Sequence, residues 1–229
     1  MQTGGSAHGP MADKGLGLRR LLWVVLAEIV LYVVLDAIAQ SLPPHYSPIS
    51  QAESDLAVGP YGYIMALNFV NRGILSLIFV YVLAMTLPKL VQGATTRYRT
   101  GLSLLAVWGI GALLLSIFPT DVPATPVSWH GLIHLVVAAI AFLAGAIGAL
   151  SLSRQFTSDD ALRGLARIAM PLAVLVLLFC VVTLGLGFVV PHLSSKIGGL
   201  DERLFLGLEL LWIAAVSVYF LKDADKTGQ

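Results

Sequence analysis

The sequence predicts an all-α, polytopic membrane protein, a bundle of six transmembrane helices with both termini cytoplasmic. Three observations predict it. Of the 229 residues, 57% are hydrophobic and only 12% charged, with mean hydropathy +0.85, whereas a soluble domain carries about 25% charged residues. The apolar residues gather in six long runs punctuated by prolines, each near the ~20 residues a helix needs to cross the hydrocarbon. Lysine and arginine fall mostly in alternate gaps between those runs, the asymmetry that orients a membrane protein.

The first run, Leu18 to Ala39, begins with Arg19 and Arg20 and carries Glu28 near its middle. Two arginines, an apolar stretch and AIAQ resemble a signal peptide, but an acid inside the run argues for a retained helix. Residues 1–17 before it read as a disordered cytoplasmic tail. The loop Gln40 to Pro60 follows, QSLPPHYSPISQAESDLAVGP, and a connection of that length is expected to be functional or to form a lid. The second run is Tyr61 to Leu87, the third Gly101 to Phe118 and the fourth Trp129 to Leu150. The fifth, Ile168 to Val190, holds Pro171 in its first turns, where a missing N–H costs little. The sixth, Arg203 to Leu221, ends before a short tail, 223–229. Residues 18–222 thus form a single transmembrane domain, with no repeat of the kind that marks inverted-topology transporters.

Eleven of the fourteen basic residues fall on one side, among them Arg19, Arg20, Lys89, Arg97, Arg99, Arg154, Arg163, Arg167 and Lys222. Lys196 and Arg203 face the other side and Arg72 lies inside a run. This places the termini inside and the protein in the cell (plasma) membrane. A net charge of +1 without basic runs interleaved by aromatics argues against nucleic acid. The single cysteine, Cys180, lies in an apolar run and excludes both a disulfide framework and a cysteine-rich metal site. Glycine and alanine are abundant in the third and fourth runs, and Gly185 and Gly187 mark the fifth. Small residues let helices approach closely where no hydrophobic force drives them together.

Polar groups inside the runs narrow the search for a site. An ionisable residue at the bilayer centre costs about 2.5–3.5 kcal/mol on insertion scales, so each needs a partner, an aqueous cavity or a task. Asn68, Asn71 and Arg72 follow i, i+3, i+4 and share one helical face, about 10–17 Å below the outer end of the second run at 1.5 Å per residue. Glu209 lies at comparable depth in the sixth run and is the favoured partner of Arg72, with Asp36, Asp121 and Asp55 as alternatives. Asn68, Asn71, Arg72, Asp36 and Glu209 together make an expected outward-side polar pocket. The stretch FPTDVPATPVSWHGLIH adds a second candidate. His130 and His134, four apart on a helix, with Asp121 upstream across a proline-stiffened turn, form a possible three-ligand set for zinc with an open position for water, which would supply a hydrolytic nucleophile near neutral pH. The competing reading keeps Trp129, His130 and His134 as interfacial and hydrogen-bonded residues.

HYSPISQAESDLAVGPYG in the first loop, Asn68 and Arg72, FPTD at Phe118–Asp121, HGLIH at His130–His134 and GLDERL at Gly199–Leu204 are similar to the six-helix bacterial and archaeal membrane family filed as domain of unknown function nine-nine-eight. That resemblance covers nearly the whole chain and implies the fold, without an activity. A more distant likeness is to alkaline ceramidase-like membrane hydrolases, which hold zinc with histidines and an aspartate inside a helical bundle. The five histidines here are differently placed, with His8 in the tail and His45 and His192 in outer loops.

Three functions remain open on the sequence. The first is a non-enzymatic structural or auxiliary bundle, alone, as a homo-oligomer or in a membrane complex. The second is a metal-dependent hydrolase acting on a lipid at the outer leaflet, with Arg72 and Asn68 holding an oxygen of the substrate. The third is a transporter or proton-coupled sensor relaying through Glu28, Arg72 and Glu209. Membrane lipids are the expected partners, with a lipid or small amphipathic ligand in the outer-side pocket.

Overall fold

A computed structural model describes residues 10–91, 98–122 and 125–226. Arg97, Pro123, the first nine residues and the last three lie outside them. The described residues form α1 (Pro10–Ser41), α2 (Gly62–Leu90), α3 (Arg99–Leu115), α4 (Trp129–Thr157), α5 (Arg163–Val189) and α6 (Pro191–Lys226), with short 3-10 helices at Glu53–Ala57 and Asp160–Leu162. Each helix packs on its neighbours in sequence, and α1 closes the ring against α6. All but α3 are long and apolar enough to cross a membrane. α3, at 17 residues, is about 25 Å long and sits at the short end of the spanning range. The molecule is a polytopic membrane bundle.

Several boundaries differ from those expected. α1 already begins at Pro10, within the stretch expected as a tail. α3 stops at Leu115, three residues early: Ser116 turns its hydroxyl onto the Leu113 carbonyl at 2.6 Å, and Pro119 follows. The largest change is in α6, a helix of 36 residues starting at Pro191. Its first dozen residues, including His192, Lys196 and the stretch Gly199–Glu202, precede the expected start of the sixth segment at Arg203. They are helical because proline is tolerated in a first helical turn and the polar residues face either water or the first loop. Only Val190 separates α5 from α6.

Small residues set the close approaches. A Cβ added at Gly73 would stand 2.9 Å from the Gly109 carbonyl, bringing α2 against α3. One added at Gly101 would stand 3.3 Å from the Gly148 carbonyl, and one at Gly148 3.2 Å from the Gly101 carbonyl, so α3 and α4 meet there. Gly185 and Gly187 do no such work: a Cβ at Gly185 would meet nothing within 4 Å, and at Gly187 only Ser194 Oγ at 3.9 Å. Neither position therefore brings α5 close to a neighbouring helix.

At the end carrying Arg19, Arg20, Lys89, Arg99 and Arg154, the basic end, the bundle is densely filled. Phe79 and Trp212 pack edge to face at 5.8 Å. Trp212 Nε1 donates to Ser153 Oγ (2.9 Å), which donates to the Ala169 carbonyl (3.2 Å), linking α6, α4 and α5. Halfway along, Trp108 of α3 packs against both Phe142 of α4 and Phe205 of α6, whose rings also meet each other at 4.8 Å. Above that level, toward the first loop, the packing opens.

Candidate functional site

The polar stripe on α2 is buried, as its spacing requires. Asn68 donates its Nδ2 to the Tyr32 carbonyl (3.1 Å) and Asn71 to the Glu28 carbonyl (2.9 Å), so both amides clamp α2 to the α1 backbone. Arg72, only 2% exposed, extends into an aromatic cage. Its guanidinium carbon lies 4.9 Å from the Trp108 ring, 5.3 Å from Phe69 and 5.8 Å from Tyr32. Such faces attract a desolvated cation but accept none of its hydrogen bonds in the ordinary sense, and Nε and Nη1 find no acceptor in the protein. Glu209 is fully buried beside Gly145 and Trp108. It feels the Arg72 charge, yet neither of its oxygens has a hydrogen-bond donor. The favoured partner is thus close to Arg72 electrostatically without being bonded to it.

Asp36 does not join this group. Gln40 donates to its carboxylate, and Arg203 Nη2 stands 3.6 Å from its Oδ1. Arg203 is the residue that sequence reasoning missed. From α6 its Nη1 donates to the carbonyls of Pro48 (3.2 Å), Gln51 (3.3 Å) and Gly199 (3.3 Å), while Nη2 donates to the Tyr46 hydroxyl (2.8 Å). Leu200 donates its amide to the Ile49 carbonyl at 2.9 Å. At Gly199 any side chain would run into the Gln51 and Pro48 carbonyls, so only glycine lets the loop seat on α6. The signal lay in Gly199, separated from DER only by Leu200, but nothing local shows which carbonyls an arginine will meet more than 150 residues away.

The loop is therefore a folded cover. Its 3-10 helix buries Glu53 at 2% exposure. Tyr32 donates its hydroxyl to the Glu53 carboxylate, and the Glu53 amide donates to Glu202 Oε2 at 2.9 Å. Burial, followed by the nearby Asp36 charge, pushes the Glu53 carboxyl up to about 7. Burial likewise raises Asp55, and raises the Tyr46 phenol against the opposing pull of Arg203.

Beneath this cover lies a cavity of about 460 Å³. Its ionisable lining is Glu53 and Asp55 from the loop, Arg72 from α2, His134 from α4, and Asp201 and Glu202 from α6, and the hydroxyls of Ser50, Ser54, Thr183, Ser194 and Ser195 complete the polar wall. Phe69, Leu115, Phe142, Leu184 and Leu206 supply apolar walls. Leu135, 55% exposed on the outside of α4, also borders it, as do Thr183, Leu184 and Leu186 of α5. The space thus reaches the side of the bundle between α4 and α5.

The expected zinc set does not assemble. Asp121 is committed to the start of α4: its Oδ2 accepts from the Ser128 amide (2.8 Å) and its Oδ1 from the Ser128 hydroxyl (2.6 Å). These bonds hold its carboxyl below the usual carboxylate range. Ser128 Oγ in turn accepts from the Gly131 amide at 3.1 Å, a helix cap. His134, 3% exposed, lies with Nδ1 2.8 Å from the Phe118 carbonyl; a carbonyl only accepts, so that nitrogen carries the proton. His130 is exposed and lies against the Trp129 and Phe118 rings. Among the described residues, no three of His, Cys, Asp and Glu are grouped to hold a metal ion. The i, i+4 spacing placed both imidazoles on one helix face, but a backbone carbonyl, a cap and an aromatic neighbour claimed the three groups separately.

No curated protein and no solved structure matches the chain, so the likeness to ceramidase-like hydrolases gains no support. The family described as Protein of unknown function (DUF998) matches residues 25–219, a range that takes in the α2 stripe, the covered cavity, the capped start of α4 and the Arg203 clamp. The chain belongs to the DUF998 family.

Proposed function

We propose that this protein is a non-catalytic bundle of the cell membrane that holds an amphipathic lipid in its covered cavity, with the loop end facing outward and both termini inside. The observation that carries the reading is Arg72: a guanidinium 2% exposed, with two donor nitrogens lacking any acceptor in the protein, bordering a cavity of about 460 Å³ that has apolar as well as polar walls. A buried donor without an acceptor is costly, more so when charged, and the acceptor oxygens of a lipid headgroup would satisfy it. The gap between α4 and α5 gives an acyl chain a way back to the bilayer. The orientation rests on the excess of lysine and arginine at the basic end.

A hydrolase is the weaker reading, since both Asp121 oxygens are engaged with Ser128 at the start of α4. The test is native mass spectrometry of protein released gently from its membrane, wild type beside Arg72→Gln. The proposal expects a lipid bound one to one by the wild type and loss of most of it in the variant. A folded wild type that carries no lipid above the level of bulk detergent exchange would rule the reading out.

A further inference from the structure

Three side chains with unsatisfied polar atoms, Arg72, Thr183 and Asp201, border the same cavity, and two of them are of opposite charge type. Arg72 presents Nε and Nη1 without an acceptor, and Asp201, 5% exposed, presents Oδ2 without a donor. Thr183 stands by Asp201 but does not reach it in hydrogen-bond geometry. Among the acidic and basic side chains of the lining, one guanidinium stands against the four carboxyl groups of Glu53, Asp55, Asp201 and Glu202, with the His134 imidazole and the serine and threonine hydroxyls of the polar wall beside them.

This distribution discriminates among headgroups. A purely anionic one would meet Arg72 but would lie among carboxyl groups that repel it and would leave Asp201 without a donor. A lone cation would suit the carboxyls and leave Arg72 unsatisfied. A quaternary ammonium carries no N–H for Asp201 and favours open aromatic faces, and the rings of Tyr32, Phe69 and Trp108 are already turned toward Arg72. Resting on the amphiphile reading above, we infer that the cavity selects a phosphoethanolamine headgroup, its phosphate oxygens accepting from Arg72 and its primary ammonium donating to Asp201. Arginine suits phosphate oxygens, and charge-assisted bonds of both signs are among the stronger ones a site can offer.

The experiment titrates detergent-solubilised wild type with phosphatidylethanolamine, phosphatidylglycerol and phosphatidylcholine of matched chains, reading occupancy by native mass spectrometry. The expected order places phosphatidylethanolamine about tenfold tighter than the other two, the equivalent of one well-made polar contact. Asp201→Asn should erase that preference while leaving phosphatidylglycerol unchanged or improved, whereas Arg72→Gln should weaken all lipids alike. Soluble glycerophosphoethanolamine is added as a competitor. Displacement of the lipid would assign the site to the free phosphodiester, and retention would assign it to the membrane lipid, each with the same headgroup chemistry. Equal affinity for the three lipids, or a folded Asp201→Asn that keeps the preference, overturns the headgroup assignment. The wild-type order decides the matter even if the variant does not fold. Lipid that still depends on Arg72 without headgroup preference would sink this inference alone, while the absence of bound lipid altogether would sink the amphiphile reading beneath it.

Discussion

Arg72 shows how a single residue can be legible in its burden and illegible in its solution. Its position within an apolar run demanded burial among polar or aromatic groups, and the i, i+3, i+4 spacing with Asn68 and Asn71 gave the face. That the cage would be Tyr32, Phe69 and Trp108 was not readable, because three rings from three helices meet only when the bundle closes. Removing one member of a buried charge pair costs about 3–5 kcal/mol because the other is left uncompensated, whereas replacing both by apolar groups is often neutral. Arg72→Met should therefore lower stability in detergent, by less than that because Arg72 and Glu209 share no hydrogen bond, and Arg72→Met with Glu209→Leu should recover most of the loss. Melting temperatures of the two variants check the coupling. A double variant no more stable than the single one would mean that Glu209, despite its burial beside Trp108, does not answer to the Arg72 charge.

At the scale of elements, the apolar runs were legible because hydropathy over twenty residues is a strong signal, while the helical start of α6 was hidden by polar residues that happen to dock a loop. The loop's seat on α6 carries its own pH dependence. Glu53 titrates at about 7 in the fold, above its ordinary value of 4.5, so between those values the folded protein holds a proton that the unfolded chain has released. Stability contributed at this carboxyl is complete below pH 4.5 and declines as pH rises toward 7. Glu53→Gln, which stays neutral, should flatten that decline. Amide hydrogen exchange over residues 46–57 at pH 5 and pH 8 measures it directly: the wild-type loop should open more readily at the higher pH, and the variant should show little change.

For the whole molecule, the ring of helices leaves one end densely filled around Phe79, Trp212 and Phe156 and the other hollow beneath a folded loop. The basic residues gather at the filled end. If that end faces the cytoplasm, a reporter fused after residue 229 should be active only inside the cell, and a cysteine introduced at exposed Ser195 in a Cys180→Ala background should react with an impermeant thiol reagent added outside. Labelling of Ser195→Cys only after the membrane is broken would reverse the orientation and turn the cavity inward.

The sequence alone determined the membrane class, the six apolar segments, the one-sided distribution of charge and the buried face of α2, because hydropathy and helical periodicity are local properties of the chain. Tertiary structure decided which polar groups are spoken for. It gave Asp36 to Arg203, Asp121 to the cap of α4 and His134 to the Phe118 carbonyl, and left Arg72 and Asp201 bordering one cavity with atoms unsatisfied. Hydrogen bonds form at about 3 Å, and which atoms come that close across 150 residues of chain is fixed only when the helices pack.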